Sequence, residues 1–118
     1  MDADDVEAVV QVLKGDWLTT GPAVERFEQA LAEKVGARFA AVCNSGTAAL
    51  HMAAEALELG PGDAAVVPAI TFLATANAVR YVGAEVIFAD VDPKSGLMGE
   101  HQLRAALARY SGAATGSL

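Results

Sequence analysis

The chain has 118 residues and a mass of 12.1 kDa, room for one core but not for the two domains common in metabolic enzymes. Fifteen Asp and Glu against eight Lys and Arg give a net charge of −7, which disfavours nucleic acid as a partner. With 53% hydrophobic and 19% charged residues, the composition is that of a folding chain and excludes a disordered one.

The acidic start, Met1-Asp2-Ala3-Asp4-Asp5, is unlike a secretory signal. The longest charge-free run, Ala64 to Val79, is 16 residues and contains Pro68, Thr71, Thr75 and Asn77, whereas a bilayer needs roughly 20 apolar residues. A lone Cys43 forms no internal disulfide, and neither CxxC nor HExxH occurs. These features point to the cytoplasm, with no membrane and no metal.

In chain order, Asp2 caps a predicted helix that runs through Lys14, with Val6, Val9, Val10 and Leu13 on one face and Gly15 as a left-handed stop. Trp17 to Pro22 is a loop. Pro22 opens a second helix whose Val24, Phe27, Leu31 and Val35 recur at spacings of three and four before Gly36. Phe39 to Cys43 has the length and character of a strand, Asn44-Ser45-Gly46 breaks it, and Thr47 to Leu59 is helical. After the turn Gly60-Pro61-Gly62-Asp63 the unit recurs: strand Ala65 to Val67, helix Thr71 to Val82, stop at Gly83, strand Glu85 to Val91. A turn at Asp92-Pro93-Lys94-Ser95-Gly96 precedes a helix from Glu100 to Tyr110, with Leu103 and Leu107 on its packing face, and the tail from Ser111 to Leu118 is featureless. Apolar strands alternating with helices predict an α/β fold with a mainly parallel sheet.

The sharpest local feature is Cys43 to Leu50, where the Gly46 turn exposes backbone N–H groups at a helix N-terminus beside the Ser45 and Thr47 hydroxyls. Such a turn is an anion cradle. It is equally an ordinary helix cap with no ligand, and both readings stay open on these residues alone. Phe72 and Trp17 by themselves suit packing, and Asp90 and Asp92 suit turns and caps. His51 falls on a helix flank, His101 in a solvated helix start, and Cys43 reads as an inert thiol.

Five segments in order then carry a resemblance: Leu18-Thr19-Thr20-Gly21-Pro22, Asn44 to His51, Gly60-Pro61-Gly62-Asp63, Pro68 to Val79, and Ala89-Asp90-Val91-Asp92-Pro93. Together they resemble the N-terminal part of the DegT/DnrJ/StrS sugar-nucleotide aminotransferases, fold-type-I enzymes of cell-envelope and antibiotic sugar biosynthesis that use pyridoxal 5′-phosphate. The resemblance implies that residues 1–118 are the N-terminal segment of the large domain. It implies an amino transfer, with glutamate as donor, onto a nucleotide-linked keto sugar, in a homodimeric parent. It assigns the cofactor phosphate to Thr47 and the backbone of Gly46 and Ala48, with Ser45 as helper, the stacking face on the pyridine ring to Phe72, and a place near the substrate or the dimer contact to Thr20 and Gly21. The resemblance implies that the family's catalytic lysine and its pyridinium-pairing aspartate lie downstream of this chain; Lys14, Lys34 and Lys94, in helix ends or turns, read as solvated residues. A dehydratase of the same superfamily, or a non-catalytic phosphate-binding module, would share the same segments.

Overall fold

The structure, a computed structural model, describes residues 1–110. The tail expected to be featureless lies outside them. The chain divides into two compact units, Met1–Cys43 and a second beginning at Asn44.

In the first unit, α1 spans Ala3–Lys14 and α2 spans Pro22–Val35. Asp2 starts α1 through a reciprocal cap: its Oδ1 accepts from the N–H groups of Asp4 (3.1 Å) and Asp5 (3.2 Å), and Asp5 Oδ2 accepts from the Asp2 N–H (2.8 Å). Gly15 ends α1 in an extended conformation (φ −85°, ψ 176°), not the expected left-handed one. The chain leaves α1 straight into the Trp17 loop, so no reversing residue is needed there. Gly36 does take the left-handed stop after α2 (φ 67°), with the Ala37 N–H donating to the Ala32 carbonyl at 2.9 Å.

Phe39 to Cys43, expected as the first strand, joins no sheet among the described residues. A strand is defined by the partner it pairs with in a sheet. Instead Glu28 Oε1 accepts from the Val42 N–H at 2.9 Å, a side chain meeting a need that a ladder would otherwise meet.

The second unit carries the sheet. It comprises α3 (Gly46–Ala56), β1 (Ala64–Pro68), α4 (Leu73–Tyr81), β2 (Glu85–Ala89) and α5 (Glu100–Arg109). The strands are parallel, with Ala65 opposite Val86 and Val67 opposite Phe88. Pro68 closes β1, where its missing N–H breaks nothing, and the Ala69 N–H continues the ladder to the Ala89 carbonyl at 2.8 Å. The α/β class and the parallel sense are as the sequence predicts, and the two strands are direct neighbours. β2 stops two residues earlier than expected, as the chain turns into the Asp90 to Gly96 loop.

The crossover β1-α4-β2 forms the core. Val67 and Ala84 pack with Ala76 and Val79 of α4, and Leu59, Ala65, Val82 and Val86 close around them. Small residues set this packing: Ala74, Ala76 and Ala78 are all buried on α4, which allows close approach of α3 and the sheet. α3 ends at Ala56, three residues short of the expected end, because Glu58 turns left-handed (φ 57°) and the chain folds back so that Leu59 reaches the core. α4 begins at Leu73 because Phe72 is still extended (ψ 139°). Gly83 stops α4 at φ +83°, with Pro61 Cγ 3.2 Å from where a Cβ would stand, so any side chain there meets backbone strain and a tight contact.

The Asp92 turn is built on one carboxylate. Asp92 Oδ1 accepts from the N–H groups of Lys94 (2.9 Å) and Ser95 (2.8 Å) and from the Ser95 hydroxyl (3.1 Å). The Ser95 and Lys94 backbone bonds hold its pKa below the ordinary 3.8. The folded turn therefore favours the ionised group; the contribution is present above pH 3.8 and is lost as the pH falls through the lower, folded value. In an NMR titration the Lys94 and Ser95 amide shifts are expected to move with a midpoint below 3.8, and a midpoint at or above it contradicts the turn.

Several expected packing faces are open. Val6, Val9 and Leu13 on α1, Phe27 and Val35 on α2, and Leu107 on α5 are all more than half exposed; on α5 it is Ala106 that is buried. Exposed large apolar side chains of this kind drive association. The 118-residue chain purified alone is expected to self-associate; light scattering after gel filtration checks this, and a monomer with one sharp unfolding transition would contradict it.

Candidate functional site

Asn44-Ser45-Gly46 places an extended residue, Ser45 (φ −162°, ψ 158°), immediately before α3. Ser45 Oγ accepts from the Ala48 N–H at 3.2 Å and donates to Asn44 Oδ1 at 3.3 Å. Of the two hydroxyls expected at this turn, Ser45 is the cap and Thr47 is not. The N–H groups of Gly46 and Thr47 have no acceptor among the described residues, while that of Ala48 is held by Ser45. A Cβ built on Gly46 meets nothing within 4 Å, so the space before the helix is open. Two orphan donors, a half-buried hydroxyl at Thr47 and the positive end of an 11-residue helix suit an anion.

Phe72 stands at the start of α4, 76% exposed, with Thr71 Oγ1 and Thr75 Oγ1 3.1 Å apart beside it. It fills no core. The topology puts the starts of α3 and α4 at one end of the sheet. α4 must run back from the end of β1 to the start of β2, and the turn after α3 meets the turn after α4 where Pro61 touches Gly83. The helices therefore run the same way, with both N-termini at the carboxyl ends of the parallel strands, the usual side for ligands in α/β sheets.

The other singled-out residues are placed as follows. His51 is half-buried on α3, its ring centroid 5.2 Å from that of Tyr81 and its Nε2 3.6 Å from Glu55 Oε1, too long for a hydrogen bond. His101 is exposed, and Cys43 is half-buried. Asp90 Oδ1 accepts from the Val91 N–H at 2.8 Å. Thr20 and Gly21 lie in the first unit, in the loop before α2. Among the described residues, no three His, Cys, Asp or Glu are placed to hold a metal, and no helix is long and apolar enough to cross a membrane.

The family model for DegT/DnrJ/EryC1/StrS aminotransferases matches residues 1–115. The chain belongs to this family. Among its relatives, a GDP-perosamine synthase of Caulobacter vibrioides is 38% identical over 96 residues, covering 80% of this chain and 26% of that protein. A UDP-4-amino-4-deoxy-L-arabinose–oxoglutarate aminotransferase of Shewanella sediminis is 37% identical over 92 residues, covering 78% of this chain and 24% of its own. The PLP form of Spr1654 from Streptococcus pneumoniae superposes with a TM-score of 0.80 at 32% identity, over 90% of this chain and 27% of that one. This DegT-family chain thus spans about a quarter of the length of the curated relatives it matches. Sequence reasoning named the residues of the α3 turn, and the division of labour within it needed coordinates. A cap accepts from whichever N–H the backbone aims at it, and both Ser45 and Thr47 carry a suitable oxygen.

Proposed function

We infer that this chain is the cofactor-phosphate segment of a pyridoxal-phosphate-dependent aminotransferase that acts on a nucleotide-linked keto sugar with glutamate as donor. The observation that carries the reading is the α3 turn, whose Gly46 and Thr47 N–H groups are without acceptors and whose cap, Ser45, is already supplied. Names of relatives support it: a perosamine synthase, an aminoarabinose aminotransferase and a structure in a PLP form. When bound, the cofactor carries the amino group from donor to sugar.

The residues present fit the group. The N–H groups of Gly46 and Thr47 and Thr47 Oγ1 would hold the phosphate, with the α3 dipole favouring its charge. Ser45 holds the turn, and the Ala48 N–H becomes a third donor if the Ser45 hydroxyl turns toward the phosphate. Phe72 offers a ring to the face of the pyridine, where stacking excludes water from one side of the conjugated system. Thr20 and Gly21 belong to substrate recognition. The covalent anchor and the proton shuttle come from a lysine in the rest of the parent protein, which is proposed to be a cytoplasmic homodimer.

The test is to express the full-length protein that carries this segment, measure cofactor binding by absorbance, and assay amino transfer from glutamate to nucleotide-linked keto sugars. Amino sugar formation that depends on added pyridoxal phosphate is the expected result. A protein that takes up no cofactor, or that releases water from the sugar with no amino transfer, overturns the reading.

A further inference from the structure

Two non-glycine residues among those described have positive φ: Glu58 (57°), which ends α3 in the usual left-handed stop, and Thr20 (49°), which ends no helix. A β-branched residue in that region is strained, and strain persists where surrounding structure imposes it for a purpose. The next residue shows what is imposed. Gly21 is buried, and a Cβ there would lie 2.6 Å from Trp17 Cβ and 3.5 Å from its Cγ, so the tryptophan rests directly on a bare backbone. Yet Trp17 is 64% exposed and fills no core. A strained threonine and an obligatory glycine together fix one aromatic ring that still faces outward.

That ring borders a cavity of about 440 Å³, whose walls include Val12 and Leu18 and whose polar members include Asp16 and Arg26. The volume is in the range of small-molecule sites, which combine apolar walls with a few polar groups. The Asp16 and Arg26 side chains make no hydrogen bond or ion pair with any described residue, so a carboxylate and a guanidinium are both available to hydroxyl or phosphate groups beside the indole.

We propose that Trp17 is the ring-stacking contact for the nucleotide-linked sugar, and that Thr20 and Gly21 are positioning residues that act on the substrate through it. The inference rests on the function read above and names the part of the chain that sets sugar-side affinity. A sugar ring and a base ring both stack on an indole, so two inhibitors separate them: a free nucleoside diphosphate and a sugar 1-phosphate.

The experiment uses the full-length holoenzyme with Trp17→Leu, which keeps apolar volume and removes the ring, Trp17→Phe, which keeps a ring, and Gly21→Ala, which displaces it. Trp17→Leu and Gly21→Ala are expected to raise KM for the sugar nucleotide at least tenfold. kcat and the glutamate half-reaction, followed by cofactor absorbance, should stay within twofold, and Trp17→Phe should recover most of the loss. The inhibitor that weakens with Trp17→Leu identifies the ring. A sugar KM within twofold of wild type, with a normal glutamate half-reaction, overturns the proposal alone. Equal losses in Leu and Phe variants that extend to the glutamate half-reaction mean a structural tryptophan and overturn it too. A wild-type protein without a glutamate half-reaction overturns the functional reading and this one with it.

Discussion

Replacing Thr47 with alanine in the full-length protein is expected to weaken pyridoxal phosphate binding about ten- to a hundredfold. A hydroxyl bond to a charged phosphate is worth roughly 1.5–3 kcal/mol, and each 1.4 kcal/mol is about tenfold in affinity. The structure makes this a clean substitution. The cap of α3 is Ser45, whose Oγ holds the Ala48 N–H at 3.2 Å, so the alanine removes no helix-capping bond. Thermal stability without cofactor should therefore match wild type within a degree or two, while the titration midpoint for the cofactor moves. Serine at position 47 should restore most of the affinity, because it keeps the oxygen. Unchanged cofactor affinity in Thr47→Ala would falsify the phosphate assignment.

The second large effect is expected at Phe72. Stacking is worth roughly 0.5–1.5 kcal/mol beyond area burial, so Phe72→Ala should lower cofactor affinity about two- to thirteenfold, whereas Phe72→Tyr and Phe72→Trp should stay near wild type. Its exposure of 76% decides the interpretation: truncating a side chain that lies outside the core opens no cavity, so fold stability should change by no more than about 0.5 kcal/mol. Cofactor titration and thermal melting of the same three variants check both halves. Equal affinity losses in all three, accompanied by lowered melting temperatures, point to a packing role and contradict the stacking assignment.

By itself, the sequence determined what is local in this protein. Asp2 specifies the cap of α1, Pro22 and Gly36 bracket α2, and Asp92 specifies its turn, because each depends only on atoms within one turn of backbone. The run Asn44 to Ala48 was legible for the same reason, and so was the parallel sense of the sheet, since helices alternate with short apolar strands. Tertiary structure alone decided the rest. Phe39 to Cys43 has strand composition, but a strand needs a partner, and Glu28 takes the Val42 N–H instead. The apolar faces of α1 and α2 have the period of buried helices and remain exposed, because periodicity records which side would be covered without supplying the cover. The same holds for Trp17: its composition suggests packing, and only the 2.6 Å approach at Gly21, the left-handed Thr20 and the open cavity beside them show a ring held outward. Propensity acts over a few neighbouring residues, whereas pairing and burial depend on chain distant in sequence.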